Sequence, residues 1–173
     1  MDVIYQLKQD HLHLYSMLHL LEEHLNRGEL SLTLVKETLD YIGDYAERYH
    51  HPLEDQLMSH LASHNPSMGK LYRQLHEDHQ ALENQSDELR RILEGIERSD
   101  TLTSTELLAR LHFWITAQQK HLEYEDRYLL PLAESDLKLF PAEFDWPLPT
   151  NLHLIKHYQS IAHDLARPSG MAL

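Results

Sequence analysis

Two copies of a His-x-x-x-Glu-Asp motif carry the side chains in this chain that are best suited to chemistry. The first copy begins at His50 and has its glutamate at Glu54, and the second begins at His121 and has its glutamate at Glu125. Residues four apart lie on one face of an α-helix, so each copy would direct an imidazole and a carboxylate toward one point. Both groups are metal ligands, and the two copies together predict a metal site.

A single histidine precedes each copy of the motif. His11 follows Asp10 before the first copy, and His79 follows Asp78 before the second. The number of residues from His11 to His79 is nearly the same as the number from His50 to His121. We therefore interpret the chain as a duplicated unit, in which a helix with one histidine is followed by a helix with the motif. Two such units give four helices.

Each predicted helix has an apolar stripe that recurs at three- and four-residue steps, and the candidate ligands lie within these stripes. Ser31 or Thr33 can cap the second helix, and Pro66 lies in the turn before the third. Pro52 predicts a kink or local break beside His50, because it removes one backbone hydrogen bond of the helix.

The fold class that these stripes predict is all-α. Four helices of about 25 to 33 residues with short connections favour an antiparallel up-down-up-down four-helix bundle, which we assign to residues 1–134. Residues 135–173 are rich in proline and aromatic residues and predict a C-terminal strap with a short extra helix. The apolar face of that helix must be buried against the bundle or a partner. A homodimer through this segment is therefore one expectation.

The composition excludes several classes of site. The chain has 173 residues and a formal net charge of −13, so its surface would repel nucleic-acid phosphates. It contains no cysteine, which excludes disulfides, zinc–thiolate sites and iron–sulfur clusters. No stretch reaches membrane-spanning length and the first residues lack a secretory pattern, so we expect a cytoplasmic protein without a membrane partner.

Six inward side chains are the candidate metal ligands of the bundle. Buried histidine and glutamate are costly unless they are paired or bind a metal. Four imidazoles and two carboxylates are too few for two separate closed sites, but they suffice for two ions that share both carboxylates. Loss of metal is expected to leave the two carboxylates facing each other and taking up protons. The six candidates are His11, His50, Glu54, His79, His121 and Glu125.

The aspartate that follows each glutamate is predicted to lie outside the site. At 100° per residue, a residue four after its histidine is about 40° from it around the helix, and a residue five after is about 140° away. Glu54 and Glu125 therefore share a face with their histidines, whereas Asp55 and Asp126 do not.

The sequence resembles the hemerythrin-like, HHE cation-binding domain proteins over about residues 5–134. The family pattern is His, His-x-x-x-Glu, His, His-x-x-x-Glu, and the six candidates match it in order and spacing. The resemblance implies a four-helix bundle with a non-haem centre of two iron ions, which can carry an oxo or hydroxo bridge. Imidazole alone would suit iron, zinc, copper or nickel, so the assignment of iron rests on the resemblance.

The chain departs from the animal oxygen carriers of this family on the third helix. Those proteins have two histidines four apart there, whereas this chain has Leu75 four residues before His79. The departure argues against reversible oxygen carriage. His51 and His76 are further ligand candidates, and the oxygen carriers place a bridging aspartate at the position of Asp126. The sequence leaves these three alternatives open.

The resemblance implies that the centre interacts with O₂ or a related small molecule, NO or peroxide, for sensing, storage or detoxification. Two other interpretations stay open: a helical interaction protein with a structural metal centre, and an iron reservoir or sensor. No catalytic residue is predicted, since the chain has no glycine-rich phosphate loop and no Ser-His-Asp order. Whether the protein catalyses a reaction is left open.

Overall fold

A computed structural model describes residues 2–97 and 104–142, and all regular structure within these two ranges is helical. Consecutive segments join without a break, so they form four long helices. The first helix is Val3–Asn26, and the third is Met68–Glu97. The second, 32–64, consists of Leu32–Tyr41, Ile42–His50 and His51–His64. The fourth, 104–139, consists of Ser104–Tyr124, Glu125–Leu129 and Leu130–Leu139.

Local side-chain chemistry fixes the ends of the first two helices. Asp2 caps the first helix through its carboxylate. Gly28 lies just beyond its end with φ of 75°, a left-handed conformation that glycine adopts without a Cβ clash. Ser31, rather than Thr33, caps the second helix, and its hydroxyl accepts a hydrogen bond from the N–H of Leu34 at 3.2 Å.

The second helix widens into a π-helix over Ile42–His50, shortly before Pro52. Proline has no N–H and crowds the carbonyl four residues earlier, so the α-helical ladder cannot pass through it unchanged. The N–H of His51 bonds instead to the carbonyl of Ala46, five residues back. The irregularity predicted beside His50 is therefore a wider turn rather than a break, and the helix continues on both sides.

The fourth helix repeats this feature beside its own proline. Glu125–Leu129 is π-helical, the N–H of Leu130 bonds to the carbonyl of Glu125, and Pro131 follows. π-Helical turns are rare in proteins, and those that occur are often found at functional sites. Both lie beside a motif residue, since His50 ends the first and Glu125 begins the second.

Arg90 of the third helix supports the wide turn of the second. Its Nη2 donates to the carbonyl of Leu39 at 2.9 Å and lies 3.4 Å from the carboxylate of Glu47. Gly43 leaves room for this guanidinium, because a Cβ added there would overlap Nη2 of Arg90. A glycine inside a helix is ordinarily unfavourable. Here the crossing arginine accounts for it.

The buried apolar side chains form two separate clusters. The larger cluster includes Leu14, Ala46 and Leu122. The smaller cluster includes Leu7, Leu53 and Leu129. On the first, second and fourth helices, buried polar residues lie between members of the two clusters. We call these residues, with the buried histidine of the third helix, the polar layer: Asp10, His11, His50, His51, Glu54, His79, His121 and Glu125.

The fourth helix continues to Leu139, past the predicted domain boundary at 134. Residues 135–139, predicted as part of the strap, are helical instead, because Leu137 packs against the smaller cluster and the next proline comes only at Pro141. His60 holds the end of this helix by donating from Nε2 to the carbonyl of Phe140 at 3.1 Å. The rest of the strap and the extra helix lie outside the described residues.

The predicted all-α fold with four long helices is confirmed. The up-down-up-down order and the division into two domains stay predictions. No helix within residues 2–97 and 104–142 combines the length and the apolar character that a membrane span requires.

Candidate metal centre

The structure brings all six predicted ligands together in the polar layer. Each is buried, and each helix contributes at least one. The first and third helices supply a histidine each, while the second and fourth each supply the histidine and glutamate of one motif copy. By helix, the six are His11, then His50 and Glu54, then His79, then His121 and Glu125.

The first group of donors consists of His11, His50, Glu54 and Glu125, with one donor atom of each within 4.8 Å of the others. The Nε2 atoms of the two histidines are 3.0 Å apart. Nε2 of His11 also lies 3.6 Å from Oε1 of Glu54 and 3.3 Å from Oε2 of Glu125. Nε2 of His50 lies 3.5 Å from Oε2 of Glu54.

The second group consists of Glu54, His79, His121 and Glu125, again within 4.8 Å. Nε2 of His79 lies 3.3 Å from Oε2 of Glu54 and 3.5 Å from Oε1 of Glu125. Nε2 of His121 lies 2.9 Å from Oε1 of Glu125. Both carboxylates are thus members of both groups.

These spacings fit metal ligands. Nitrogen and oxygen donors lie about 2.0 to 2.2 Å from an ion such as zinc, so adjacent donors are about 3 to 3.5 Å apart. All four carboxylate oxygens of Glu54 and Glu125, and Nε2 of His79 and His121, are buried without a hydrogen-bond partner among the described residues. Buried carboxylates without hydrogen bonds are costly even beside imidazoles, and a shared cation would reduce that cost.

Residues 2–133 match the model of the family described as Hemerythrin HHE cation binding domain. The chain belongs to this family. The predicted resemblance is confirmed, and cation binding is the function that the family description gives to the domain. No curated protein and no solved structure matches the chain significantly.

Without a bound cation, two histidines of the HHE domain carry the balancing charge. Burial alone would lower the pKa of His11, but its hydrogen bond to Asp126 and the nearby glutamates outweigh burial and raise the pKa to about 10. Burial is likewise outweighed at His79, where Asp55 and the same glutamates raise the pKa to about 11. Both imidazoles are therefore protonated at neutral pH in the metal-free domain.

The two glutamates consequently stay ionised. Burial would raise the pKa of Glu54, but the neighbouring His50 and the contacts of other histidines hold it well below its usual range. Burial and the charge of Glu54 would raise the pKa of Glu125, but His121 and His79 outweigh them and lower it to about 2. The expectation that the carboxylates take up protons is wrong, because the neighbouring imidazoles take them instead.

The aspartate after each glutamate reaches a histidine on another helix. Oδ1 of Asp126 accepts from Nδ1 of His11 at 2.7 Å, and Oδ1 of Asp55 lies 3.3 Å from Nδ1 of His79. Neither aspartate belongs to a donor group. The spacing argument placed them off the face of their own histidine and did not show that they contact a neighbouring one. A partner at Nδ1 fixes the ring and directs Nε2 to a metal.

Asp10 supports a third ligand, and sequence reasoning missed it. Oδ2 of Asp10 lies 3.2 Å from Nδ1 of His50, while Oδ1 accepts from the hydroxyl of Tyr45 at 2.5 Å and from Nε2 of Gln6 at 2.8 Å. The signal available in the sequence was the aspartate preceding each single histidine. The partner on another helix had no such signal.

The two additional histidine candidates have different surroundings. His76 is exposed and donates from Nδ1 to Asp55 at 2.8 Å, so the structure does not bring it into a donor group. His51 is buried, and its ring stacks on that of His79 with centroids 4.1 Å apart. With His79 and His121 it forms a third group of donor atoms within 4.8 Å. Burial and then the charge of His79 lower its pKa to about 4.

Proposed function

We propose that this HHE domain holds two iron ions that share Glu54 and Glu125, and that the pair interacts with a small molecule such as O₂, NO or peroxide. The observation that carries the proposal is that both carboxylates belong to both donor groups. A carboxylate within reach of two pairs of imidazoles can bridge two cations. A single ion would leave one pair of histidines without a partner.

In this proposal the first ion lies between His11 and His50, and the second between His79 and His121. The bound iron would supply redox chemistry and coordination positions that the protein leaves open. The protein's own part is to hold the two imidazole pairs on four different helices at a common depth. Each ion would be held by two imidazoles and the two shared carboxylates, and an iron that prefers more than four ligands would then have room for a small molecule, which supports a reactive rather than a purely structural site.

The carboxylates behind the ligands have a second part. Asp126 accepts a hydrogen bond from Nδ1 of His11, Asp10 accepts one from Nδ1 of His50, and Asp55 lies next to Nδ1 of His79. When such a ring gives up one proton to bind a metal, the contact at Nδ1 keeps the remaining proton there and leaves Nε2 for the metal. These contacts therefore favour the tautomers that metal binding needs.

A surface groove reaches the aspartate that lies behind the first group. It has a volume of about 590 Å³ and is lined by Tyr15, Ser16, His19, Gln119, Glu123, Asp126 and Arg127. Asp126 lies at this groove and is hydrogen-bonded to His11. A molecule of a few atoms that enters the groove is thus separated from the first group by a ligand and its aspartate. The groove supports a small exogenous ligand.

The test is reconstitution of the full chain, made without a histidine tag, with Fe(II) under oxygen-free conditions. We expect two irons per chain by elemental analysis and an optical spectrum that changes on addition of O₂, NO or hydrogen peroxide. Glu54→Ala should lose the pair, whereas Glu77→Ala, at an exposed position, should keep it. One iron or none in the unsubstituted chain would contradict the proposal. Two irons inert to all three molecules would favour a structural centre.

A further inference from the structure

The two halves of the duplicated unit differ beside their motif histidines. His50 is followed by His51, and the equivalent residue after His121 is Leu122. Both are buried in the bundle. Leu122 belongs to the larger apolar cluster, where a hydrocarbon side chain needs no partner. His51 lies instead in the polar layer, so one half of the unit has an imidazole where the other has a leucine.

His51 lies against the second group and not the first. Its ring is stacked on His79 at 4.1 Å with an interplanar angle of 9°, and it meets His121 edge to face at 5.8 Å. The three residues bring one donor atom each within 4.8 Å of the others. The first group has no such additional imidazole among the described residues.

The environment of His51 follows the pattern of the other ligands. Three of the proposed ligands have a carboxylate beside Nδ1 and direct Nε2 to the centre. Nδ1 of His51 likewise faces a carboxylate, Oε1 of Glu83 at 4.0 Å. This distance is too long for a hydrogen bond, and Nδ1 has no other partner among the described residues. A side chain that is only 3% exposed thus keeps an unsatisfied polar atom, which is costly unless the ring has another function.

We propose that His51 is a third imidazole ligand of the ion held by His79 and His121. The inference rests on the proposed pair of ions and assigns five histidines to it, two at the first ion and three at the second. Each imidazole nitrogen binds a metal through a lone pair that lies in the plane of its ring. Because the rings of His51 and His79 are parallel, these lone pairs do not converge on one ion, so joint binding requires the His51 ring to turn. No hydrogen bond at Nδ1 opposes that turn.

The consequence is that the two ions are not equivalent. The second has three imidazoles, and the first has two and more unfilled positions. In a symmetric centre both irons would give one spectroscopic signature. With His51 bound, the full chain loaded with ⁵⁷Fe(II) should give two Mössbauer doublets of equal area, and X-ray absorption should count about five imidazoles per pair of irons.

The experiment compares His51→Leu, which copies Leu122, with His112→Leu on the same metal-loaded protein. His112 belongs to no donor group and serves as the control for loss of a histidine. His51→Leu should keep two irons, count about four imidazoles, give merged doublets and bind the second Fe(II) about tenfold more weakly. His112→Leu should match the unsubstituted chain. If His51→Leu does not fold, His51→Gln provides the same comparison.

Two failures are distinguishable. An unsubstituted chain that does not bind two irons would overturn the proposed function and this inference with it. An unsubstituted chain with two irons, whose imidazole count, doublets and affinity are unchanged by the loss of His51, would overturn this inference alone.

Discussion

The hydroxyl of Tyr45 donates a hydrogen bond to Oδ1 of Asp10 at 2.5 Å, and both side chains are buried. The other oxygen of Asp10 faces Nδ1 of His50 at 3.2 Å. A phenol thus fixes a carboxylate that fixes a proposed metal ligand. In the second half of the duplicated unit the equivalent aspartate, Asp78, accepts from Gln74 at the surface, as Asp10 does from Gln6.

Removing this hydroxyl should weaken metal binding without unfolding the bundle. Tyr45→Phe leaves Gln6 as the remaining donor to Oδ1 of Asp10, so the carboxylate is held less firmly against His50. Loss of a ligand's direct partner costs about 10- to 100-fold in metal affinity, and we expect this more distant change to cost up to about tenfold. Tyr49→Phe, in the adjacent half-buried ring, is the matched control and should have no effect. Competition for Fe(II) against a chelator of known affinity measures the difference. Equal affinities for the two variants would show that the chain from Tyr45 to His50 is irrelevant to the metal.

Adjacent residues of the second motif should have unequal effects. Glu125→Ala removes a carboxylate shared by both donor groups and should abolish the iron pair. Asp126→Ala removes only the partner of His11 Nδ1, so it should keep two irons with affinity lower by about 10- to 100-fold. Iron content and visible absorbance of the purified variants give the answer. An iron-free Asp126→Ala beside an iron-replete Glu125→Ala would reverse the assignment.

Metal binding should release protons and strengthen as the pH rises. His11 and His79, with pKa values raised to about 10 and 11 in the metal-free domain, must each lose a proton to bind a cation. Below those pKa values each such proton lowers the apparent affinity by up to about tenfold per pH unit. Calorimetric titrations with Fe(II) in buffers of different ionisation enthalpy count the protons. A count near zero at neutral pH would contradict the charge balance described for the polar layer.

The metal-free domain should be most stable near pH 6.5. The raised pKa values of His11 and His79 give stability that is complete below their unfolded value of 6.5 and is lost as the pH rises toward 10 and 11. The pKa of His51 is lowered to about 4, so its effect on stability is opposite to that of His11 and His79. The folded domain loses stability as the pH falls from 6.5 toward 4. The lowered pKa of Glu125 adds to the loss between 4.5 and about 2. Urea unfolding across this range, with a chelator present, checks the maximum. Stability that rises steadily to pH 9 would contradict it.

Two glycine substitutions separate helix propensity from the support of the wide turn. Gly43→Ala would displace the Arg90 guanidinium and break its hydrogen bond to the carbonyl of Leu39. Because alanine also favours the helix, we expect a net loss of about 1 kcal/mol. Gly69→Ala, where the nearest group is Nη1 of Arg73 at 3.9 Å, should be neutral or stabilising. Denaturant unfolding of both variants measures the contrast, and a stabilising Gly43→Ala would show that Arg90 does not support the turn.

Features encoded within a single helix were the ones that the sequence allowed us to predict. The spacing of His50 and Glu54, and its repetition at His121 and Glu125, placed each pair on one buried face, and the structure has all four there. Pro52 located the irregular turn, because the missing N–H acts on the residues just before it. It did not reveal a π-helix, since the alternative bond depends on how the neighbouring helices pack.

Contacts between helices could not be predicted in the same way. The contact of Asp126 with His11 joins the fourth helix to the first, and that of Tyr45 with Asp10 joins the second to the first. Such pairs depend on the relative rotation and height of two helices, which the periodicity of either one leaves undetermined. The same limit applied to His51, whose neighbour His79 lies on the third helix.

The polar layer divides the apolar interior into two clusters, and this division affects how the bundle comes apart. A continuous apolar core ties all parts of a domain into one all-or-none transition. Here the two clusters are joined through a layer of buried histidines and carboxylates, which is held by ion pairs and hydrogen bonds rather than by apolar packing. With cations in that layer, the two ends of the bundle should melt together. Without them each end is free to open by itself, so the metal would decide whether the four helices behave as one cooperative unit or as two.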